Sequence, residues 1–177
     1  MGITGAKMTI SASPKIRVKV GDVFLIPIDE TTWVIGQLVR KKQSELYVAI
    51  FADRYSSTDV RPRSILDQKP LFLVLTLDAK LYHGMWPIIG NVQENRNSIP
   101  EPAFKVGIWG SGAHIISRDE KICRLATREE LEVLQPHCVT TGQGIEDMLR
   151  SYYGMNDYQF DFDCYLATYA EKSGKLL

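Results

Sequence analysis

The stretch of sequence that decides the fold runs from residue 23 to residue 51, VFLIPIDETTWVIGQLVRKKQSELYVAIF. Three short segments in it, residues 23–28, 32–39 and 46–51, are rich in β-branched and aromatic residues and are separated by polar turns. Such segments are typical of strands, and short turns join antiparallel neighbours. We therefore predict a three-stranded meander that begins a curved, antiparallel, SH3-like half-barrel sheet. Pro27 lacks an amide proton, so we expect the first strand to be an edge strand or bulged there.

The next 75 or so residues extend this β pattern. Residues 71–77 form a continuous apolar run, which favours a strand that is covered on both faces and lies at the centre of the sheet. Further strands are predicted at residues 88–91, 104–109, 113–117 and 121–125, and polar loops at 54–69 and 93–102. The first two-thirds of the chain are therefore expected to be mostly β.

The pattern becomes helical from about residue 127. Thr127 and Glu130 have the spacing of a capping box, which predicts a short helix over residues 128–135 that Pro136 ends. Apolar residues at helical spacing predict a second helix over residues 144–154, and a third is expected over 165–171. The predicted fold class is α+β, with two or three short helices packed on the sheet. Residues 1–14 are expected to be a flexible tail and residues 15–177 a single domain.

Composition excludes several classes of protein. The chain has 177 residues, of which 45% are hydrophobic and 24% charged, and its formal net charge is zero. A dedicated nucleic-acid binder usually carries a basic excess, and a membrane span needs about 18 consecutive apolar residues, so we predict neither nucleic acid nor membrane as a partner. No secretory signal is visible. The three widely spaced cysteines, an odd number, suggest free thiols in a reducing compartment, and we expect a cytoplasmic protein. The oligomeric state has no clear signature.

No motif for chemistry stands out. The histidines His83, His114 and His137 have no metal-ligand spacing, so no metal site and no cofactor are predicted. Cys123 falls within an apolar strand pattern, where most cysteines are packed rather than nucleophilic. Adjacent carboxylates such as Asp29 and Glu30 fall in turns, where they are usually solvated. We therefore assign no catalytic residue.

One charge asymmetry stands out between residues 129 and 163. This segment holds eight acidic residues and one basic residue, Arg150, which gives it a net charge of about −7. An acidic face accelerates association with a basic partner, although a solvated helical surface would have the same composition. As candidate partner-binding residues we select Glu146, Asp147, Asp157, Asp161 and Asp163.

An ordered series of five motifs resembles the immunity protein 26 family of bacterial polymorphic toxin systems. The motifs are VGDVFLIPI at residues 20–28, WVIGQL at 33–38, LVLTLDA at 73–79, WPIIGN at 86–91 and PAFKVG at 102–107. The resemblance implies a cytoplasmic protein that binds and neutralises a cognate toxin. The matching positions that we interpret as structural are Asp22, Trp33, Gly36, Gln37, Trp86, Gly90 and Asn91.

Two alternatives stay open. The family also shares a grouping with a small phosphotriesterase, which implies a hydrolase of organophosphate esters; such an activity usually needs a metal-activated hydroxide. The groups to mutate first would then be Asp53, Asp78, His83, His114 and Cys123. The other alternative is a small-barrel module that binds a metabolite through its loops.

Overall fold

A computed structural model describes residues 16–77, 79–157 and 161–177; the predicted tail over residues 1–14 lies outside this range. The first sheet has five strands in the order β4-β3-β2-β1-β5, and every neighbouring pair is antiparallel. Its strands are β1 (Asp22–Pro27), β2 (Trp33–Lys42), β3 (Glu45–Tyr55), β4 (Pro70–Leu77) and β5 (Ile88–Asn91). The predicted meander is confirmed as β1-β2-β3.

A second sheet follows, with the strand order β8-β7-β6-β9. Its strands are β6 (Ala103–Ile108), β7 (Gly112–Ser117), β8 (Ile122–Leu125) and the two-residue β9 (Gln135–Pro136). Strands β6, β7 and β8 are antiparallel, whereas β9 pairs with β6 in parallel. Neither sheet closes into a barrel.

The helices are short and lie mostly in the C-terminal third: α1 (Ala79–Tyr82), α2 (Arg128–Val133), α3 (Gly142–Tyr152) and α4 (Ala167–Gly174). Three 3₁₀ helices span Pro62–Asp67, Arg96–Ser98 and Asp163–Tyr165. The predicted α+β class is therefore confirmed. None of the helices in the described part of the chain has the length and apolar character needed to cross a membrane.

Both faces of the first sheet are buried. Alternate residues of each strand face opposite sides, so each strand contributes side chains to two cores. Phe24, Val48 and Val74 face a core that α3 completes with Ile145, Met148 and Leu149. Leu25, Ala49 and Leu75 face a second core that the second sheet and α4 complete with Phe104, Ile116, Ala167 and Ala170. Burial on two faces explains why these strands are almost continuously apolar.

Strand β4 corrects one prediction. It lies at an edge of the first sheet and not at its centre. A continuous apolar run indicates that both faces of a strand are covered, and this is true of β4. It does not indicate where the strand lies in the sheet. The outer edge of β4 is occupied by the C-terminal third: the Thr140 amide donates to the Leu75 carbonyl (2.8 Å), and Phe72 bridges to Leu166.

Strand β1 corrects a second prediction, because it lies between β2 and β5 and is not an edge strand. Its pairing with β5 covers only Asp22, Val23 and Phe24, with a bulge between Val23 and Phe24. Pro27 pairs with Trp33 on β2 and lies beyond the end of the β5 pairing. The missing amide proton of Pro27 is therefore tolerated because β5 is short.

The predicted capping box is present at the start of α2. The Glu130 amide donates to Thr127 Oγ1 (3.3 Å), and the Thr127 amide donates to Glu130 Oε2 (2.8 Å). The helix ends at Val133, earlier than predicted, because Gln135 and Pro136 form β9 against β6. The second predicted helix is α3, and the third is α4, which begins two residues later than predicted.

Candidate functional site

Helix α3 positions the first of the predicted partner-binding residues. Thr141 caps the helix by accepting a hydrogen bond from the Gly144 amide (3.0 Å). The inward face of the helix buries Ile145, Met148 and Leu149. Gly154 lies beyond the end of the helix and adopts a left-handed φ of 66°. Glu146 therefore lies at the margin of this apolar face, and Asp147 lies beyond it.

Glu146 is buried, with a side-chain exposure of 6%, and its carboxylate is used within the fold. Trp86 Nε1 donates to Glu146 Oε1 (2.9 Å), and Lys80 Nζ lies 2.8 Å from the same oxygen. Arg150 Nη2 lies 3.8 Å from Oε2. These contacts join α1, Trp86 and α3. The charge count suggests an exposed Glu146, whereas the structure buries this residue in contacts within the fold.

Asp147 is partly exposed and paired. Arg150 Nη1 lies 2.8 Å from Asp147 Oδ1, and Gln143 Nε2 donates to the same oxygen (3.1 Å). Arg150 also donates to the Ile28 carbonyl (2.7 Å), which anchors the guanidinium to the sheet. Asp147 therefore contributes less free negative charge than its exposure suggests.

Asp157, Asp161 and Asp163 are all exposed. Residues 158–160, which join the first of them to the other two, lie outside the described range. Phe162 fixes the segment between Asp161 and Asp163, because its ring packs edge-on against Phe72 at a centroid distance of 5.9 Å. Asp163 also lines an open groove with Glu132 of α2 and Lys172 of α4. We call Asp157, Asp161, Asp163 and Glu132 the acidic surface.

Not every acidic residue of the segment adds to this surface. Arg124 forms a bidentate ion pair with Glu130, at 2.6 and 2.8 Å. The Arg124 guanidinium and the Thr127 amide lower the pKa of the Glu130 carboxyl to about 2. Within the described residues, the members of the acidic surface make no ion pair, so together with the exposed Glu129 they carry the free negative charge of the segment.

An apolar surface lies at the edge of the second sheet. All four residues of β8 are exposed, and among the described strands β8 has a neighbour, β7, on one side only. Ile122 and Leu125 are 58% and 57% exposed, and Trp109, in the turn between β6 and β7, is fully exposed. We call Trp109, Ile122 and Leu125 the β8 edge. Single exposed apolar residues are common, but the unpaired edge of an exposed strand is a site at which other chains can pair.

Among the family-motif residues, Asp22, Asn91 and Gln37 hold the strand ends together. Asp22 is buried and accepts hydrogen bonds from the Lys19 amide (2.7 Å) and from Asn91 Nδ2 (2.8 Å). Gln37 is fully buried and exchanges two hydrogen bonds with the Asn95 side chain, at 2.9 and 3.0 Å. Its Nε2 also donates to the Val92 carbonyl (2.9 Å). These polar side chains are satisfied within the fold.

The remaining motif residues form packed contacts. A Cβ on Gly36 would overlap the Phe24 ring, and that ring stacks on Trp86 at a centroid distance of 5.5 Å. Pro62 packs closely against Gly90, where a Cβ would lie 2.6 Å from the Pro62 ring. Trp33 is half-buried against the core shared with the second sheet. Sequence reasoning missed the link from Trp86 to Glu146, because no local spacing connects residues 60 positions apart.

The groups selected for a hydrolase are dispersed. Asp53 lies on β3, His83 follows α1, and His114 and Cys123 lie on the neighbouring strands β7 and β8; Asp78 is outside the described residues. Within residues 16–77, 79–157 and 161–177, the one cluster of three possible metal-binding side chains contains none of them. Cys123 is exposed rather than packed, which differs from its strand pattern, and the three cysteines are free thiols. Burial raises the pKa of the Cys164 thiol to about 11.

Comparison with known proteins gives one match. Residues 19–111, slightly more than half of the chain, match the family model described as immunity protein 26. No curated protein and no solved structure matches the chain. The matched region covers the first sheet, all of β6 and all seven motif residues, and it ends just before β7.

Proposed function

Because this chain belongs to the immunity protein 26 family, we propose that it binds a cognate bacterial toxin and neutralises it by direct association in the cytoplasm. The family match over residues 19–111 is the observation that carries this proposal. The toxin partner is a protein with a basic surface, and neutralisation results from occlusion of that surface.

The acidic surface supports the proposal that the partner is basic. Asp157, Asp161, Asp163 and Glu132 are exposed, and within the described residues none of them is neutralised by an ion pair. Free surface charges of one sign steer an oppositely charged partner and raise its association rate by about 10- to 1,000-fold at low salt. This contribution falls with ionic strength, because the Debye length is only about 8 Å at physiological salt.

The β8 edge supplies the apolar component of the proposed interface. Tryptophan is enriched among the residues that carry most of the binding energy at protein interfaces. Trp109 is fully exposed, and Ile122 and Leu125 lie on the open strand β8. In the proposed interface, the acidic surface attracts the basic partner and the β8 edge makes apolar contacts with it.

The first test is capture of partners from the native cell with a tagged full-length chain, at low and at moderate salt, followed by mass spectrometry. We expect one stoichiometric partner with a basic toxin domain, retained at moderate salt. That domain, expressed without this chain, should stop growth, and co-expression should restore it. Absence of any protective effect on an isolated partner would contradict the proposal.

The interface itself is tested by charge reversal. We expect the triple variant Asp157→Lys, Asp161→Lys and Asp163→Lys to slow association with the captured toxin by about tenfold or more at low salt. The matched control reverses three exposed acidic residues elsewhere, Glu30→Lys, Asp59→Lys and Asp67→Lys, which changes the net charge equally. Equal effects of the two triple variants would show that net charge matters and that the acidic surface does not. Glu146 is excluded from the test, since its reversal would break buried contacts.

A further inference from the structure

Three side chains from distant parts of the chain converge at one end of the two sheets. Glu45 is the first residue of β3, Glu120 lies in the turn between β7 and β8, and His137 directly follows β9. A carboxylate oxygen of each glutamate and a ring nitrogen of His137 all lie within 4.8 Å of one another. Within the described parts of the chain, this is the cluster whose donor atoms could share one metal ion.

Two of these three residues carry a buried polar atom without a hydrogen-bond partner among the described residues. These atoms, Glu45 Oε1 and His137 Nε2, are both shielded from solvent. A buried polar atom without a partner is unfavourable, and such atoms are uncommon in folded proteins. A bound cation would satisfy both atoms, with the Glu120 carboxylate as a third ligand.

The geometry is close to that of a metal site. Zinc binds carboxylate oxygen and imidazole nitrogen at about 2.0–2.2 Å, so two of its ligands lie about 3.4 Å apart in a tetrahedral site. The three donors here need only small side-chain movements to contract from within 4.8 Å to that separation. The His137 ring is already positioned by an edge-on contact with Phe104, at a centroid distance of 4.8 Å.

One neighbouring cation competes for this position. Lys42 Nζ lies 3.1 Å from Glu120 Oε2, and both side chains are partly exposed. A lysine on a flexible stem can turn away from an exposed carboxylate at little cost. The pair therefore gives Glu120 a partner when the metal is absent and does not block its other oxygen.

We propose that Glu45, Glu120 and His137 bind a divalent first-row transition metal, with Zn²⁺ as the best match. Two hard oxygens and one imidazole nitrogen form a ligand set that zinc accepts, and two carboxylates compensate its charge. Three protein ligands leave a coordination position for water or for a donor atom of a partner. The site is separate from the acidic surface and the β8 edge, and it does not depend on toxin binding.

The test is calorimetric titration of the metal-depleted full-length chain with zinc chloride, repeated with Co²⁺, whose visible absorption reports the coordination geometry. We expect one site per chain with a micromolar or tighter dissociation constant. The variants His137→Gln and Glu120→Gln should each weaken binding by about tenfold or more, since even the loss of a group that only orients a ligand costs 10- to 100-fold. Lys42→Met should strengthen it, because Glu120 is then free.

Matched controls remove the same side-chain types outside the cluster. His83→Gln and Asp119→Asn replace exposed residues, and we expect them to bind zinc like the unaltered chain. Glu120 is exposed, so its variant tests the proposal even if His137→Gln does not fold. The proposal is overturned if the unaltered chain binds no zinc. Equal affinity of Glu120→Gln and Asp119→Asn would overturn it as well.

Discussion

Glu146 shows how a single buried charge can connect separate parts of the fold. Its carboxylate accepts a hydrogen bond from Trp86 and forms an ion pair with Lys80, whose side chain is only 20% exposed. The three residues come from α3, from the segment before β5 and from α1. Removal of the carboxylate would leave the buried Trp86 indole N–H without this partner and the shielded Lys80 ammonium with a 3.5 Å contact to Gln143 Oε1.

The variant Glu146→Ala should therefore lower the free energy of unfolding by about 2–4 kcal/mol. The control Asp147→Ala, on the next residue, removes a partly exposed ion pair and should cost less than about 1 kcal/mol. Urea denaturation followed by circular dichroism measures both values. Similar costs for the two variants would contradict the structural role of Glu146.

The sequence alone did not show this role, for a physical reason. Ile145, Met148 and Leu149 define the buried face of α3, and Glu146 lies at its margin, where a carboxylate is usually solvated. Its burial depends on Lys80 and Trp86, which are more than 50 residues away in the chain. Asp157, Asp161 and Asp163 are exposed, as residues in a polar segment with little helical pattern usually are.

At the scale of elements, α2 depends on one glutamate for two contacts. Glu130 closes the capping box with Thr127 and pairs with Arg124 on β8, so it joins the start of the helix to the second sheet. These contacts lower its pKa from 4.5 to about 2. Because the pKa is lower in the folded state, the contribution of Glu130 to stability is complete above pH 4.5 and is lost as the pH falls towards 2.

We therefore expect Glu130→Gln to be less stable than the unaltered chain at pH 7, and the difference to shrink as the pH falls from about 4.5 to about 2. Thermal unfolding at several pH values between 7 and 2 measures the difference. Glu132→Gln, on the same helix but without an ion pair to a described residue, is the control and should show no such pH-dependent difference. A difference for Glu130→Gln that stays constant with pH would be inconsistent with the lowered pKa.

Elements were predicted more accurately than their arrangement. The capping box at Thr127 and the strands of the meander follow from local residue patterns, which act over a few positions. The edge position of β4 and the two-residue strand β9 depend on contacts with segments distant in sequence, and no local pattern encodes them. The convergence of Glu45, Glu120 and His137 is hidden for the same reason.

For the whole molecule, the family-matched region lacks part of the core that buries its sheet. Residues 19–111 contain the first sheet, but Ile145, Met148 and Leu149 of α3 cover one of its faces and Ala167 and Ala170 of α4 help to cover the other. Each large buried side chain contributes about 1.5–3 kcal/mol. The loss of several of them is comparable with the whole stability of a typical domain, about 5–15 kcal/mol.

A fragment comprising residues 19–111 should therefore fail to fold cooperatively. We expect it to bind the dye ANS and to lack the near-ultraviolet circular dichroism of the full chain, in which Trp86 is fully buried. The full-length chain in the same buffer is the reference. A cooperative thermal transition of the fragment would show that the C-terminal third is dispensable for the fold.

The covered edge of β4 limits how copies of this protein can associate. Its hydrogen-bonding groups at Leu75 and Thr76 are already engaged by Thr140, whereas β8 has an open side. A filament that grew head to tail through these two strands would need β8 of one copy to pair with β4 of the next, and that acceptor is closed. The covered edge of β4 therefore disfavours polymerisation by repeated pairing of β8 with β4.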